Sequence, residues 1–332
     1  MAGSNGASSS RGETLRAIRE HDRFCLTTHE RPDGDAVGSL AAMQLILAAL
    51  GKDSVTFMPA HEFPLPYEYR FIQLEGLTTD PPADLSERTL IFLDCGNIER
   101  TSAEALKREP DRLILNIDHH HDNTRFGTVN HVVEDASCTA EIVWDLMEPL
   151  AVGPTIEIAE ALYVGLVTDT GKFMYENTGP RAHVMAAELI AAGIDVHGIY
   201  RRLYEGMPYA KLELLGRALA SLERVDDGML TFAYIDRDDF RMAGAEESYS
   251  EGIIDHLRSV EGTKVAALAR ELFDGDGARK KVSLRSTDGA IDVSVIARAG
   301  GGGGHRRAAG FSTELSHDEL LAFLREQVAA QL

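Results

Sequence analysis

Aspartate and histidine recur in four short segments that lie far apart in the chain. These are His29-Glu30-Arg31-Pro32-Asp33-Gly34-Asp35, Leu93-Asp94-Cys95-Gly96, Asp118-His119-His120 and Thr168-Asp169-Thr170-Gly171. Taken one at a time, such residues mean little. An aspartate after a strand is more often a turn residue or a helix N-cap than a ligand, and a lone His29 on a loop is more often a satisfied surface histidine. The joint pattern means more, because each segment follows an apolar run that is a candidate strand, although the run Ala161–Thr168 before Asp169 also falls within an expected helix. In a parallel α/β sheet the carboxyl ends of the strands open into one crevice, so the segments would deliver their side chains to one place. At least four carboxylates gathered there would repel one another and take up protons. Divalent cations are the natural compensation. Carboxylate oxygen with a minority of imidazole nitrogen suits Mn²⁺ or Mg²⁺, and the imidazoles favour Mn²⁺. Thiolates are missing from the set, which counts against a structural zinc site.

The elements that must position these residues are legible from apolar periodicity. Phe24–Thr28, Ser54–Met58, Thr89–Leu93 and Leu113–Ile117 read as strands that are continuously apolar, as expected of parallel strands covered on both faces. Helices are expected at Ala36–Leu50, closed by Gly51, and at Thr139–Met147, Ile156–Thr168 and Arg181–Ala191, with Thr178 as N-cap of the last. The fold class is therefore α/β, a doubly wound, mostly parallel sheet. Residues 195–225 read as a helical linker interrupted near Gly206-Met207-Pro208. Beyond it, Met229–Ile235, Val265–Phe273, Lys281–Arg285, Ile291–Ile296 and a segment near Phe311 read as strands, and Asp318–Val328 as a closing helix. This gives a smaller α+β domain. The expected organisation is a disordered tail over 1–12, a catalytic domain over 13–194, the linker, and a second domain over 226–332.

Composition bounds the function classes. The 332 residues are 44% hydrophobic and 26% charged, which are globular values and enough chain for two cores. Cys25, Cys95 and Cys138 are sparse and odd in number, so they form no disulfide framework and read as small buried hydrophobes. No apolar stretch of ~20 residues is present to span a bilayer, and the first residues lack a signal-peptide core, so a cytoplasmic location is expected. A net charge of −20 argues against electrostatic coating of long nucleic acid. Charge is nonetheless uneven. Arg279, Lys280, Lys281, Arg285, Arg298, Arg306 and Arg307 face only Asp288 and Asp292 between residues 279 and 310. That patch suits either a small anionic ligand or a solvated edge. Within it, Gly300–Gly304 followed by His305 could bring backbone amides against a phosphate, with Arg285, His305 or Arg306 adding charge.

The four acidic segments, together with Lys281–Ser286 (KVSLRS) and Gly301–Gly310 (GGGGHRRAAG), resemble the DHH phosphoesterase superfamily and its DHH-associated C-terminal domain. That superfamily includes RecJ-type exonucleases, family II pyrophosphatases and cyclic-dinucleotide phosphodiesterases. The nearest subgroup is the stand-alone nanoRNase/pAp-phosphatase (bifunctional oligoribonuclease) type, and the resemblance covers nearly the whole chain after its first residues.

Carried over position by position, the resemblance implies one metal held by His29, Asp33 and Asp94. It implies a second held by Asp35, Asp94, His119 and Asp169, with Asp94 bridging. The implied cofactor is two Mn²⁺, with Mg²⁺ or Co²⁺ as substitutes. A hydroxide shared by the pair would attack phosphorus in line. Asp94, His119 and His120 form the implied catalytic set, His120 standing beside the scissile phosphate and Asp118 orienting a histidine. His121 is assigned no role. Arg285, Ser286, Gly303, Gly304 and His305, with His120, are implied to hold the substrate. The implied enzyme is a Mn²⁺-dependent phosphodiesterase and bisphosphate nucleotidase. It would cut short single-stranded oligonucleotides and linear dinucleotides such as pGpG or pApA to mononucleotides, and pAp to AMP. Long duplexes and membranes are excluded as partners, and analogy implies a homodimer. Two domains would form a cleft that measures substrate length. The rivals are a pyrophosphatase or polyphosphatase on the same metal core, and a non-catalytic nucleotide-binding relative.

Overall fold

The computed structural model describes residues 4–107, 112–273, 279–287 and 289–332, with side chains from Ser10 onward; Asp288 of the basic patch lies outside the described residues. The chain divides into two compact units, Met1–Gly206 and Met207–Leu332.

In the first unit six strands form one sheet: β1 (Arg23–Thr27), β2 (Asp53–Phe57), β3 (Leu77–Thr78), β4 (Thr89–Leu93), β5 (Ile114–Asp118) and β6 (Val129–Val132). Their order is β3-β2-β1-β4-β5-β6, and every pairing is parallel. β4 and β5 are buried along their whole length, as their unbroken apolar sequences require. Side chains alternate between two cores. Phe24, Leu26, Ile91, Leu93, Leu115 and Ile117 enter the helix-covered core, while Cys25, Leu90, Phe92 and Ile114 enter a smaller one with Leu85, Ala103 and Leu106. Cys25, Cys95 and Cys138 are free and buried.

Six helices accompany this sheet: α1 (Ser4–Glu20), α2 (Gly34–Ala49), α3 (Thr139–Met147), α4 (Ile156–Asp169), α5 (Pro180–Ala191) and α6 (Val196–Tyr204). Their residues dominate the larger core. α2 is apolar on all sides, and Leu40, Met43, Ile46 and Leu47 are fully buried; each contributes roughly 1.5–3 kcal/mol through the hydrophobic effect. α1 starts at Ser4, inside the stretch that composition assigned to a tail. No proline interrupts Ser4–Arg11, so the segment continues the amphipathic turns that bury Leu15 and Ile18. Ser10 Oγ lies 3.2 Å from His131 Nδ1 on β6. Thr178 does not cap α5. Gly179 occupies the N-cap position with Pro180 at the first helical position, and the Thr178 hydroxyl is buried. Trp144 on α3 is half-buried against the core, with the Arg181 guanidinium 5.1 Å from its ring centroid.

The second unit holds α7 (Tyr209–Ala220), β7 (Glu223–Val225), β8 (Leu230–Ile235), α8 (Arg237–Ala243), α9 (Ile253–Arg258), β9 (Val265–Glu271), β10 (Lys280–Ser286), α10 (Val293–Ala299), β11 (Gly303–Gly304), β12 (Ala308–Thr313) and α11 (His317–Ala329). Its sheet runs β11-β12-β10-β9-β8-β7, antiparallel except for β8 with β9. The expected strand at Ile291–Ile296 is largely helix α10. Asp292 accepts from Ser294 N at 2.9 Å as N-cap, and Val293, Ile296 and Ala297 bury one helical face, which overrides the β-branched composition. The linker expected over 195–225 is two helices separated at Gly206-Met207-Pro208: α6 lies in the first unit, α7 and β7 in the second. Among the described residues no single helix is long and apolar enough to cross a membrane.

Candidate metal centre

The strand order reverses between β1 and β4, the position where open α/β sheets bind ligands. His29, Asp33 and Asp35 leave β1 there, and Asp94 leaves β4. Asp118 ends the neighbouring β5, with His119 and His120 following it. Asp169 is the last residue of helix α4, which matches the helix expected over Ile156–Thr168 and not the reading of Ala161–Thr168 as a strand. Among the described residues of the first unit, three sets of ligand atoms each lie within 4.8 Å of one another: His29/Asp33/Asp94, Asp35/His119/Asp169 and Asp94/His119/His120. The residues of both expected ligand sets are thus brought together, and Asp94 touches both. Its Oδ2 lies 3.5 Å from His29 Nε2, and its Oδ1 3.6 Å from both His119 Nε2 and His120 Nδ1. His119 Nε2 also lies 3.8 Å from Asp169 Oδ2. His121 is exposed.

Local sequence chemistry holds these groups in place. Asp33 is indeed a helix N-cap, since its Oδ1 accepts from the amides of Asp35 (3.0 Å) and Ala36 (3.1 Å); the second oxygen leaves room for a ligand role as well. Asp94 has φ +55°, a left-handed backbone rare for a non-glycine residue and often found at functional sites. Asp118 is fully buried; its Oδ1 stands 2.8 Å from His120 Nδ1 and its Oδ2 accepts from Asn123 Nδ2 at 2.5 Å. The carboxylate therefore sets the ring orientation of His120. α2 and α4 cross closely enough that a methyl group on Gly38 would strike the carbonyl oxygen of Ala161. One on Gly165 would lie 2.8 Å from Asp35 Oδ1.

The electrostatics show a site that lacks compensation from protein charge alone. Burial, then the charges of Asp94 and Asp169, push the Asp35 carboxyl well above its ordinary range. Burial likewise lifts Asp169 to about 7 despite His119. For Asp94, burial acts upward but is outweighed by the His29 hydrogen bond and the imidazoles, so its carboxyl falls. Burial pulls His29 and His119 down, yet the carboxylates around them win and raise both to about 9. His120 is also raised, the Asp118 bond outweighing burial. A cluster of oxygen and imidazole donors without thiolate fits hard or borderline divalent cations. His29 and His119 bind protons at neutral pH without metal, and each must lose its proton to coordinate. Metal affinity is therefore expected to climb with pH and level off above about 9. Titration calorimetry in buffers of different ionisation enthalpy should show proton release at neutral pH that vanishes at strongly alkaline pH; an affinity independent of pH would contradict this protonation pattern.

The expected substrate residues lie in the second unit. Arg285 sits on β10 between Ala266 of β9 and Ala308 of β12. Ser286 is buried, and its hydroxyl accepts from Gly289 N at 3.1 Å, so it shapes the turn instead of presenting itself to solvent. Gly303 and Gly304 form the exposed β11, and His305 N donates to Ala308 O at 2.7 Å. Gly304 is required by the hairpin: it has φ +135°, and a Cβ would lie 2.6 Å from Ala309 Cα. A Cβ on Gly303 would meet nothing within 4 Å, so the fold alone does not demand glycine there. Of the seven basic residues, Lys280 is buried.

Sequence reasoning missed the supports. Thr139 donates its hydroxyl to Asp94 Oδ1 at 3.0 Å, and Asn177 Nδ2 donates to Asp169 Oδ2 at 3.0 Å. Neither residue type signals such a role, and Gly165 was read only as part of a helix.

The chain resembles known proteins over both of its units. Residues 23–166 match the model of the DHH family, N-terminal domain, and residues 232–330 that of the DHHA1 domain. The chain is 33% identical to the bifunctional oligoribonuclease and PAP phosphatase NrnA of Thermus thermophilus, over 95% of this chain and 93% of that one. It is 27% identical to the protein of the same name from Bacillus subtilis, over 90% and 92%. Among solved structures, an exopolyphosphatase-related protein from Bacteroides fragilis superposes with a TM-score of 0.87 at 22% identity, covering 97% and 96%. RecJ of Thermus thermophilus in complex with Mn²⁺ superposes with a TM-score of 0.57 at 16% identity, covering 98% of this chain and 54% of RecJ. Both likenesses concern the fold.

Proposed function

Because this chain belongs to the DHH family, we propose that it is a metal-dependent phosphoesterase that hydrolyses short oligonucleotides to mononucleotides and pAp to AMP. The observation that carries the reading is the placement of Asp94 between two histidine–carboxylate groups, each able to hold one divalent cation. His29, Asp33 and Asp94 would hold one ion; Asp35, Asp94, His119 and Asp169 the other, with Mn²⁺ the best match to the donor set. A pair bound there supplies neutralisation of the phosphate and a water acidified toward neutral pH.

The chain's own residues do the rest. Asp94 presents one oxygen to each group, so its position sets the spacing of the site. His119 lies between Asp94 and Asp169, within the second group. His120 has its Nδ1 engaged by Asp118, so the proton it delivers to the leaving oxygen is the one on Nε2. In the second unit, Arg285, the β11 amides of Gly303 and Gly304, and His305 would bind a substrate phosphate, with Ser286 acting through its turn. Arg285→Ala is expected to raise KM about 10–100-fold, the loss of a charge-assisted hydrogen bond, with Mn²⁺ binding unchanged. Loss of metal on that substitution would move Arg285 out of the substrate role.

A turnover panel tests the whole reading: pAp, pApA, pGpG, trimers to pentamers and pyrophosphate, each with Mn²⁺. Mononucleotide release from the dinucleotides supports the proposal. Pyrophosphate as the sole good substrate would replace it with a pyrophosphatase, and binding of oligonucleotides without turnover would replace it with a non-catalytic binder.

A further inference from the structure

We infer that Thr139 is a positioning residue for the metal pair, its hydroxyl fixing the shared Asp94 carboxylate while its backbone amide fixes Asp35. The inference rests on the two-metal reading and deepens it.

Thr139 is the first residue of α3. The opening amides of a helix lack intrahelical acceptors, and Cys138 at the N-cap position provides no side-chain bond. Thr139 N and Ala140 N instead donate to Asp35 Oδ2 at 2.6 Å and Oδ1 at 2.9 Å. Asp35 belongs to α2, so a carboxylate from one helix terminates another. Both Thr139 and Asp35 are buried, so these donors act where water does not compete.

The hydroxyl has a different target. A threonine inside a helix bonds back to a carbonyl of the preceding turn, but at the first helical position no such turn exists. Thr139 Oγ1 donates to Asp94 Oδ1 at 3.0 Å. Oδ1 is the oxygen facing His119 and His120, whereas Oδ2 faces His29. The terminal carboxylate torsion is intrinsically broad, and a bridging role needs one orientation of it. The left-handed backbone of Asp94 places its Cβ; the Thr139 donor then selects the rotation. One residue thereby ties a ligand of each group to the start of α3, and the distance between the groups follows from that anchor.

The comparison of Thr139→Val, Thr139→Ser and Thr139→Ala isolates the hydroxyl, because all three keep the backbone amide. Thr139→Val preserves volume and branching. It is expected to keep the circular dichroism of the wild type, to weaken Mn²⁺ binding by calorimetry about 10–100-fold, and to lower kcat with KM little changed. The multiline electron paramagnetic resonance signal of a coupled Mn²⁺ pair should diminish with it. Thr139→Ser, which retains the donor, should restore affinity, signal and kcat. If Thr139→Val does not fold, Thr139→Ala against Thr139→Ser gives the same contrast. Wild-type Mn²⁺ affinity and pair signal in Thr139→Val, or in Thr139→Ala where that variant stands in, would overturn the inference while leaving the two-metal reading intact, as would a Thr139→Ser protein as defective as either. Wild-type protein that binds no coupled pair would overturn both.

Discussion

Asp94→Asn is expected to lower kcat by ~10³-fold or more with Mn²⁺ in excess, since bridging metal sites supply several kcal/mol of transition-state stabilisation. The asparagine is the informative replacement. Asp94 occupies a left-handed backbone conformation at the end of β4, which asparagine tolerates and alanine does not. It is also 2% exposed, so truncation would add a cavity to the loss of charge. Asparagine keeps shape and the bond from Thr139 but has only one oxygen to offer, so one of the two groups loses a ligand. Metal analysis after gel filtration should therefore find fewer than two Mn²⁺ per chain. Two retained ions with activity within tenfold of wild type would refute a bridging Asp94.

His120→Gln should lower kcat by about 10²–10⁴-fold, the usual contribution of a positioned proton donor, while both metal ions stay bound. The two effects distinguish the roles of adjacent histidines: His119→Gln is expected to release metal, His120→Gln to spare it. A group that donates a proton must carry it, so the wild-type rate should decline as pH rises through the pKa of His120, which Asp118 raises. That alkaline decline should disappear from the residual rate of His120→Gln. A pH–rate profile of unchanged shape, or loss of Mn²⁺ from the variant, would remove His120 from proton transfer.

How far the sequence could be read follows from what each signal reports. Strands buried on both faces announce themselves as unbroken apolar runs, and β1, β4 and β5 stand within a residue or two of the expected bounds. Polar residues directly after such runs are visible for the same reason, so His29, Asp94 and the Asp118-His119-His120 run could be singled out. Asp169 could be singled out too, although Ala161–Thr168, equally apolar as strand or helix, reads both ways; the expected helix over Ile156–Thr168 is the one that forms. α10 was misread for the related reason that valine and isoleucine favour strands until a cap and a buried face decide otherwise. Tertiary contacts between distant segments leave no local trace. Thr139 is separated from Asp35 by 104 residues and from Asp94 by 45, and nothing in Cys138-Thr139-Ala140 announces either bond.

The crossing of α2 and α4 has its own consequence. Gly38 and Gly165 contribute no reactive atom, yet each leaves no room for a side chain between helices that carry Asp35 and Asp169. Any engineering that enlarges either residue must prise the helices apart, and the reacting groups would part with them. Tolerance to substitution in this protein is thus governed by spacing as much as by chemistry, and two inert positions become as unforgiving as the acids they separate.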